Sequence, residues 1–345
     1  MKFSKKYGKI DKNSRAASVP RRSFLEFRVM ETVKIKSYAK INLTLEILGV
    51  EGGYHMLDSL VANVDLFDLI TLKKRKGKLS TVRMQGMGSE DIPLENNNAL
   101  RAAEAFSEMF STDGAEITVY KNIPIGAGLG GSSADVVGVI LGMARLYQVT
   151  DQKKLKALAD SLGSDTGYML MGGFARIQGR GEKVSPLGLD KRLHFLLLCP
   201  PSGVSAKECY AKYDALPKTL EWKENAGDGC IAALRKNDLN EVGRYLTNDL
   251  FVAALHLNPD VERAHEELSA FSPLGVTMTG SGSGVLALFE TKELCEWAKS
   301  RYRGKFDTYV LSTISPDYEN VKKKKTFVFR NPFALSEEEI AETEE

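Results

Sequence analysis

Between Lys121 and Asp135 the chain reads Lys-Asn-Ile-Pro-Ile-Gly-Ala-Gly-Leu-Gly-Gly-Ser-Ser-Ala-Asp. Glycines at 126, 128, 130 and 131 let the backbone turn its amides toward one point and remove the β-carbons that would hold a ligand away. Glu116–Tyr120 before them alternates polar and apolar residues as a half-buried strand does. From Ser133 to Gln148 the apolar positions Val136, Val137, Ile140, Met143, Ala144 and Tyr147 recur at helical spacing. The spacing predicts Ser132 as the helix N-cap, with Asp135 completing a capping box. Unpaired amides and the positive dipole end behind a glycine loop make a phosphate cradle. Gly126, Gly128 and Gly131 satisfy G-x-G-x-x-G, yet the ribose-binding acid expected ~20 residues on is displaced by Thr150-Asp-Gln152, which starts another helix. No lysine precedes the serines, so the P-loop pattern fails. The bland alternative is a ligand-free turn, which needs fewer small residues than stand here.

Three other places carry chemistry-bearing residues. Ile41, Leu43, Leu45 and Ile47 alternate with Asn42, Thr44 and Glu46, a strand with one buried face. Lys40 and Asn42, two apart at roughly 6.6 Å, point the same way onto its polar side; an ordinary wet sheet face is the simpler expectation for a lone lysine. Tyr54-His55 follows the turn Gly49–Gly53 and joins an aromatic face to a pair of ring nitrogens, which suits a nucleobase or sugar. Ser164-Asp165 opens a helical turn after Gly163; either residue could simply cap it, or Asp165 could stay ionised there and accept a hydroxyl proton.

These residues need elements to position them. The pattern predicts strands over Val33–Leu48 and Ser59–Asp65, and a helix over Asn98–Phe110. An amphipathic helix over Asp151–Leu162 carries Leu155, Leu158, Ala159 and Leu162 on one stripe. His194–Cys199 begins a new apolar strand, which places a domain boundary near Leu187. A second glycine cluster, Thr279-Gly-Ser-Gly-Ser-Gly284, joins two further strands. It reads as a flexible turn, or as backbone from the second half closing on a phosphate held by the first.

Composition bounds the rest. With 345 residues, 43% of them hydrophobic, the chain can fill two domains. A net charge of +2 makes no case for nucleic acid, and no apolar run approaches the ~20 residues of a membrane span. The 4 cysteines lack metal spacing, so packed thiols are expected. Residues 1–29 are basic and lack the apolar core of a signal peptide, which suggests a flexible extension, sequence upstream of a start at Met30, or, less well, a transit peptide. Lys322–Lys325 and the acidic stretch to Glu345 form a charged tail over 317–345. A cytoplasmic protein is the default, and monomer and homodimer both stay open.

Ala39-Lys-Ile-Asn-Leu43, the loop from Pro124 to Ser133 and Met278-Thr-Gly-Ser-Gly-Ser-Gly284, in that order, resemble the GHMP kinases (galactokinase, homoserine, mevalonate and phosphomevalonate kinases). Gly53-Tyr-His55, Leu162-Gly-Ser-Asp165, Gly179-Arg-Gly-Glu-Lys183 and Asn248-Asp-Leu250 are similar to the branch acting on a cytidyl-linked methylerythritol. The resemblance implies a two-domain α+β fold. Residues 30–187 would form a ribosomal-S5-like α/β domain and 188–316 a ferredoxin-like α/β domain, with the active site in the cleft between them. It implies ATP-dependent, Mg²⁺-assisted phosphorylation of a small-molecule alcohol, with neither nucleic acid nor membrane as partner. Asp165 matches the family's base, Lys40 its catalytic lysine and Asn42 a substrate-positioning residue. Tyr54 and His55 match the cytosine-binding pair, with Tyr210 as a second ring. Pro124, Gly126, Gly128, Leu129, Gly130, Gly131, Ser132 and Ser133 would hold the ATP phosphates, joined by Gly280, Ser281 and Gly282. No metal ligand is assigned beyond a Ser132 or Ser133 hydroxyl. A kinase for another alcohol (homoserine or mevalonate type) and a catalytically impaired nucleotide-binding relative are the alternatives.

The chain departs from the family pattern in three places. Asp165 is followed by Thr166-Gly167-Tyr168 where Val/Ile-Pro-Phe is usual, and the lost proline predicts a freer loop around the carboxylate. Ser-Ser-Ala-Asp stands for Ser-Ser-Asp/Asn-Ala, and Ala206 replaces a common threonine.

Overall fold

The computed structural model describes residues 31–93, 95, 97–217 and 225–316. The extension over 1–29 and the tail over 317–345 therefore lie outside the described residues. In chain order the first half comprises β1 (Thr32–Glu51), β2 (Tyr54–Lys74), β3 (Thr81–Gly86), α1 (Asn98–Phe110), β4 (Ala115–Lys121), α2 (Gly131–Tyr147), α3 (Gln152–Leu162), α4 (Thr166–Met171), β5 (Ala175–Gly179) and β6 (Lys183–Pro186). The second comprises β7 (His194–Cys199), α5 (Ala206–Ala215), α6 (Ala226–Lys236), α7 (Leu239–Tyr245), β8 (Thr247–Asn248), α8 (Phe251–Leu257), α9 (Pro259–Ser269), β9 (Gly275–Met278), β10 (Val285–Phe289), α10 (Lys292–Arg301) and β11 (Asp307–Ile314).

The long antiparallel hairpin of β1 and β2 is the frame. β2 is far longer than the seven or so residues its alternation suggests, because it forks. Its Leu69–Lys74 end pairs with β4, which carries β3 in parallel, while Leu57–Val61 pairs with β5 and through it β6. β11 pairs with β7 and, at Thr313 and Ile314, with β2. The strand path β3-β4-β2-β11-β7-β10-β9 thus runs from one half of the chain into the other.

Helix expectations hold closely. Asn97 caps α1 by accepting from the Ala99 and Leu100 amides, and Asp151 caps α3 through Lys154. α1, α2 and α3 pack Phe106, Ile140, Met143 and Leu158 against Ile35, Ile70, Leu72 and Val119 of the sheet. Three expectations fail. The N-cap of α2 is Gly130, in left-handed conformation at φ 70, with no side-chain cap bond. Asp135 is not part of a capping box; it is buried and accepts from Lys121 Nζ at 2.7 Å. The polar face of β1 is not wet either: Lys40, Asn42, Thr44 and Glu46 are all buried. Each polar group has an internal partner. Glu46 accepts the Ala226 and Gly227 amides that open α6, at 3.1 and 2.8 Å, and the Thr44 hydroxyl accepts from Leu60 N at 3.0 Å.

Candidate functional site

The two glycine stretches, some 150 residues apart in sequence, meet backbone to backbone. Lys40 N donates to Leu129 O at 3.0 Å, which seats the first loop on β1. Ser283 N donates to Gly126 O at 3.1 Å, which joins the second loop to the first. A β-carbon on Gly128, at φ +73, would lie 2.0 Å from Thr279 O. No side chain fits there, so glycine at 128 is a condition of the contact. Asn42 organises the junction. Its Oδ1 accepts from Lys40 Nζ at 2.7 Å and Gly280 N at 3.0 Å, its backbone amide donates to Thr279 Oγ1 at 3.0 Å, and its Nδ2 donates to Ser59 Oγ at 2.8 Å. Asn248 Nδ2 supports the second loop from behind, donating to Met278 O and Gly280 O at 2.8 Å each.

Lys40 Nζ lies 3.6 Å from Asp165 Oδ2, so these two predicted site residues meet. Lys40 is buried, while the Asp165 side chain keeps 34% of its surface exposed and remains reachable. Asp165 occupies the N-cap position of α4 yet makes no side-chain cap bond; its carboxylate faces Lys40 instead. The loop is not freed by the missing proline. The buried Thr166 hydroxyl bonds Ala159 O and, at 2.6 Å, Gly163 O, tying the residue after Asp165 to the end of α3. Tyr168, fully buried, adds a bond from its hydroxyl to Gly173 O at 2.8 Å.

An aromatic group stands near Asp165, with Tyr210 close enough to feel its charge. The rings of His55 and Tyr210 are 4.7 Å apart at 31°, with Tyr213 edge-on to His55 at 6.1 Å. Burial pushes the Tyr210 hydroxyl up to about 12, with the nearby Asp165 charge as the second cause. His55 Nε2 sits 2.8 Å from Asp214 Oδ1 on α5. Tyr54 is placed separately, 57% exposed, with the Arg180 guanidinium 4.7 Å over its ring. At the start of α2, Asn98 Nδ2 donates to Ser132 Oγ at 2.6 Å.

Comparison with known proteins fits this arrangement. Residues 97–173 match the GHMP kinases N terminal domain and 230–305 the GHMP kinases C terminal domain. A 4-diphosphocytidyl-2-C-methyl-D-erythritol kinase of Carboxydothermus hydrogenoformans is 37% identical over 73% of this chain and 86% of its own. That of Clostridium tetani is 33% identical over 82% of this chain and 100% of its own.

The chain belongs to the GHMP kinases.

A crystal structure of a 4-(cytidine 5'-diphospho)-2C-methyl-D-erythritol kinase, 27% identical, superposes on this kinase with a TM-score of 0.69, covering 82% of this chain and 100% of that one. The homoserine kinase of Cytophaga hutchinsonii, at 20% identity and a TM-score of 0.65 over 83% of this chain and 96% of its own, shares the fold. The α+β architecture is accordingly the two-domain GHMP fold, and the protein is a small-molecule kinase that uses ATP.

Two residues that shape the kinase's site, Ser59 and Asp214, were not singled out from sequence, while Thr279, Thr166 and Asn248 stood in quoted motifs with no role given to their side chains. Asp214 follows Tyr210 by four, one turn along α5, so a helical reading of that segment would have put both on one face. Thr279, Ser59 and Asn248 act through contacts far along the chain, whereas Thr166 acts locally, on Ala159 and Gly163. Among the described residues no group of three His, Cys, Asp or Glu could hold a metal ion. No helix of the described residues is long and apolar enough to cross a membrane.

Proposed function

We propose that this kinase transfers the γ-phosphoryl group of ATP to the 2-hydroxyl of 4-diphosphocytidyl-2-C-methyl-D-erythritol, giving the 2-phosphate and ADP. The observation that carries the reading is the meeting of Lys40 and Asp165 beside the joined glycine loops, with Tyr210 of the His55–Tyr210 ring pair close enough to feel the Asp165 charge. The loop from Pro124 to Ser133, with Gly280, Ser281 and Gly282 against it, takes the phosphates on backbone amides. The acceptor lies across Asp165, with its base beside His55 and Tyr210. Asp165 accepts the hydroxyl proton, the freed oxygen bonds to the γ-phosphorus, and the bond to the β,γ-bridging oxygen breaks to release ADP. Little covalent help is required; positioning and charge stabilisation dominate phosphoryl transfer. Lys40, 3.6 Å from Asp165, supplies positive charge beside the forming alkoxide. The Ser132 or Ser133 hydroxyl would help to hold Mg²⁺ with the phosphates, where the ion would supply positive charge.

Asn42 acts from below, holding Lys40 and the Gly280 amide in one geometry. Tyr54, under Arg180, can close over the far face of the base. An aromatic wall with an imidazole suits a nucleobase, whereas homoserine or mevalonate offers nothing to stack. The test is ADP release with ATP and Mg²⁺ and, separately, the cytidyl alcohol, homoserine and mevalonate. Turnover with the first supports the proposal. Turnover only with one of the others removes it, and none with any supports a nucleotide-binding relative without chemistry.

A further inference from the structure

Beneath the first glycine loop lies a buried charged group that the transfer itself does not use. Lys121, the last residue of β4, is 3% exposed. Its Nζ bonds Asp68 Oδ2 and, at 2.7 Å, Asp135 Oδ2. Asp68, on β2, is wholly buried, and its Oδ1 accepts the Asn122 and Ile123 amides at 2.6 and 2.9 Å. Asn122 Nδ2 donates in turn to Phe67 O at 3.1 Å. Asp135 lies in the second turn of α2, on the far side of the loop. A single ammonium therefore touches the residues that lead into the loop and the helix that leads out of it.

We infer that Lys121 is a positioning residue for the nucleotide, closing the ends of the phosphate loop on each other through Asp68 and Asp135. The inference rests on the reading that this loop holds the ATP phosphates. Three observations favour it over a merely stabilising ion pair. The group joins the loop's two ends rather than two distant elements. It lies against the loop's own backbone: a β-carbon on Gly131 would be 3.6 Å from Lys121 Nζ. And it is over-supplied with acid, because one cation faces two carboxylates.

Asp135 Oδ1 has no hydrogen-bond partner among the described residues. Burial, first, and the Asp68 charge push its carboxyl up to about 7 against the pull of Lys121. A buried ion pair with a surplus carboxylate is a poor device for stability alone. It is a good device for holding a flexible loop in its bound shape, which raises affinity by removing the cost of ordering the loop.

The experiment titrates the full chain with ATP by calorimetry and measures KM for ATP and for the cytidyl alcohol in Asp135→Ala and Asp135→Asn. Alanine cuts the tie to Lys121; asparagine keeps an oxygen for it. The expected result is ATP binding weakened about tenfold in Asp135→Ala, restored to within about twofold in Asp135→Asn, with the alcohol's KM unmoved in both. Unchanged ATP affinity in Asp135→Ala, whatever its melting temperature, overturns the inference. So does equal weakening in both variants, which would make charge, not the tie, the cause. If Asp135→Ala fails to fold, Asp135→Ser, whose shorter side chain leaves a gap at Lys121, faces the same outcomes. ATP binding by the unmodified chain upholds the nucleotide reading independently; its absence removes both ideas, while a normal Asp135→Ala titration removes the brace alone.

Discussion

Asp165 shows how one residue position can be held by backbone and used by side chain. The N-cap position normally engages a carboxylate with the helix amides. Here Thr166 and Tyr168 secure the segment, and the carboxylate is left to meet Lys40. Asp165→Asn keeps shape and hydrogen bonding but cannot accept the proton. We expect turnover to fall roughly 10²- to 10⁴-fold while calorimetric ATP affinity stays near normal; a variant that turns over normally would take the base role from Asp165. His55 depends on Asp214 in a similar way. With Nε2 engaged by that carboxylate, the ring's orientation is set and Nδ1 is left for a ligand. Asp214→Ala should raise KM for the cytidyl alcohol roughly three- to tenfold, the worth of one hydrogen bond, without lowering kcat. An equal loss in kcat would place Asp214 in the chemistry instead.

At the scale of elements, the joined glycine loops do what neither could do alone. The first is seated on β1 through Lys40 N, the second on β1 through Asn42 and on β8 through Asn248. Their mutual contact leaves no room for a β-carbon at 128. Gly128→Ala must either force the loops apart or strain a left-handed backbone. The expected cost is about 1–3 kcal/mol of stability, read from the denaturant midpoint, together with weaker ATP binding. An alanine variant as stable as the parent would mean that the loops do not meet this closely.

For the molecule as a whole, the forked β2 and the bridging β11 carry one strand path through both halves, so loops from each are held at fixed register. Buried acids within this frame make stability depend on pH. Burial raises the Asp135 carboxyl from 3.8 to about 7 in the folded protein, against the pull of Lys121. Between those values the folded protein holds a proton that the unfolded chain has lost. That contribution is fully present below the lower value and is lost as pH rises through the upper one. Asp249, raised to about 6 by burial, acts in the same direction. We expect the melting temperature to carry a downward slope between about pH 4 and pH 7, flattened in Asp135→Asn. The same slope in both proteins would show that Asp135 is already ionised when folded.

What the sequence determined by itself was local: the extents of α1 and α3, the alternation of β1, the glycine loop, and the motif order that marks a GHMP kinase. These follow from backbone periodicity and from bonds that reach a few residues. Only the tertiary structure decided which polar groups find one another. The alternation of Asn42, Thr44 and Glu46 is the same whether that face meets water or a second glycine loop, and here the Asn42–Thr279 bond spans 237 residues. Asp135 likewise satisfies a local capping pattern, but Lys121 is buried beside it, and a buried cation competes better for a carboxylate than a helix end whose first amides solvent can reach.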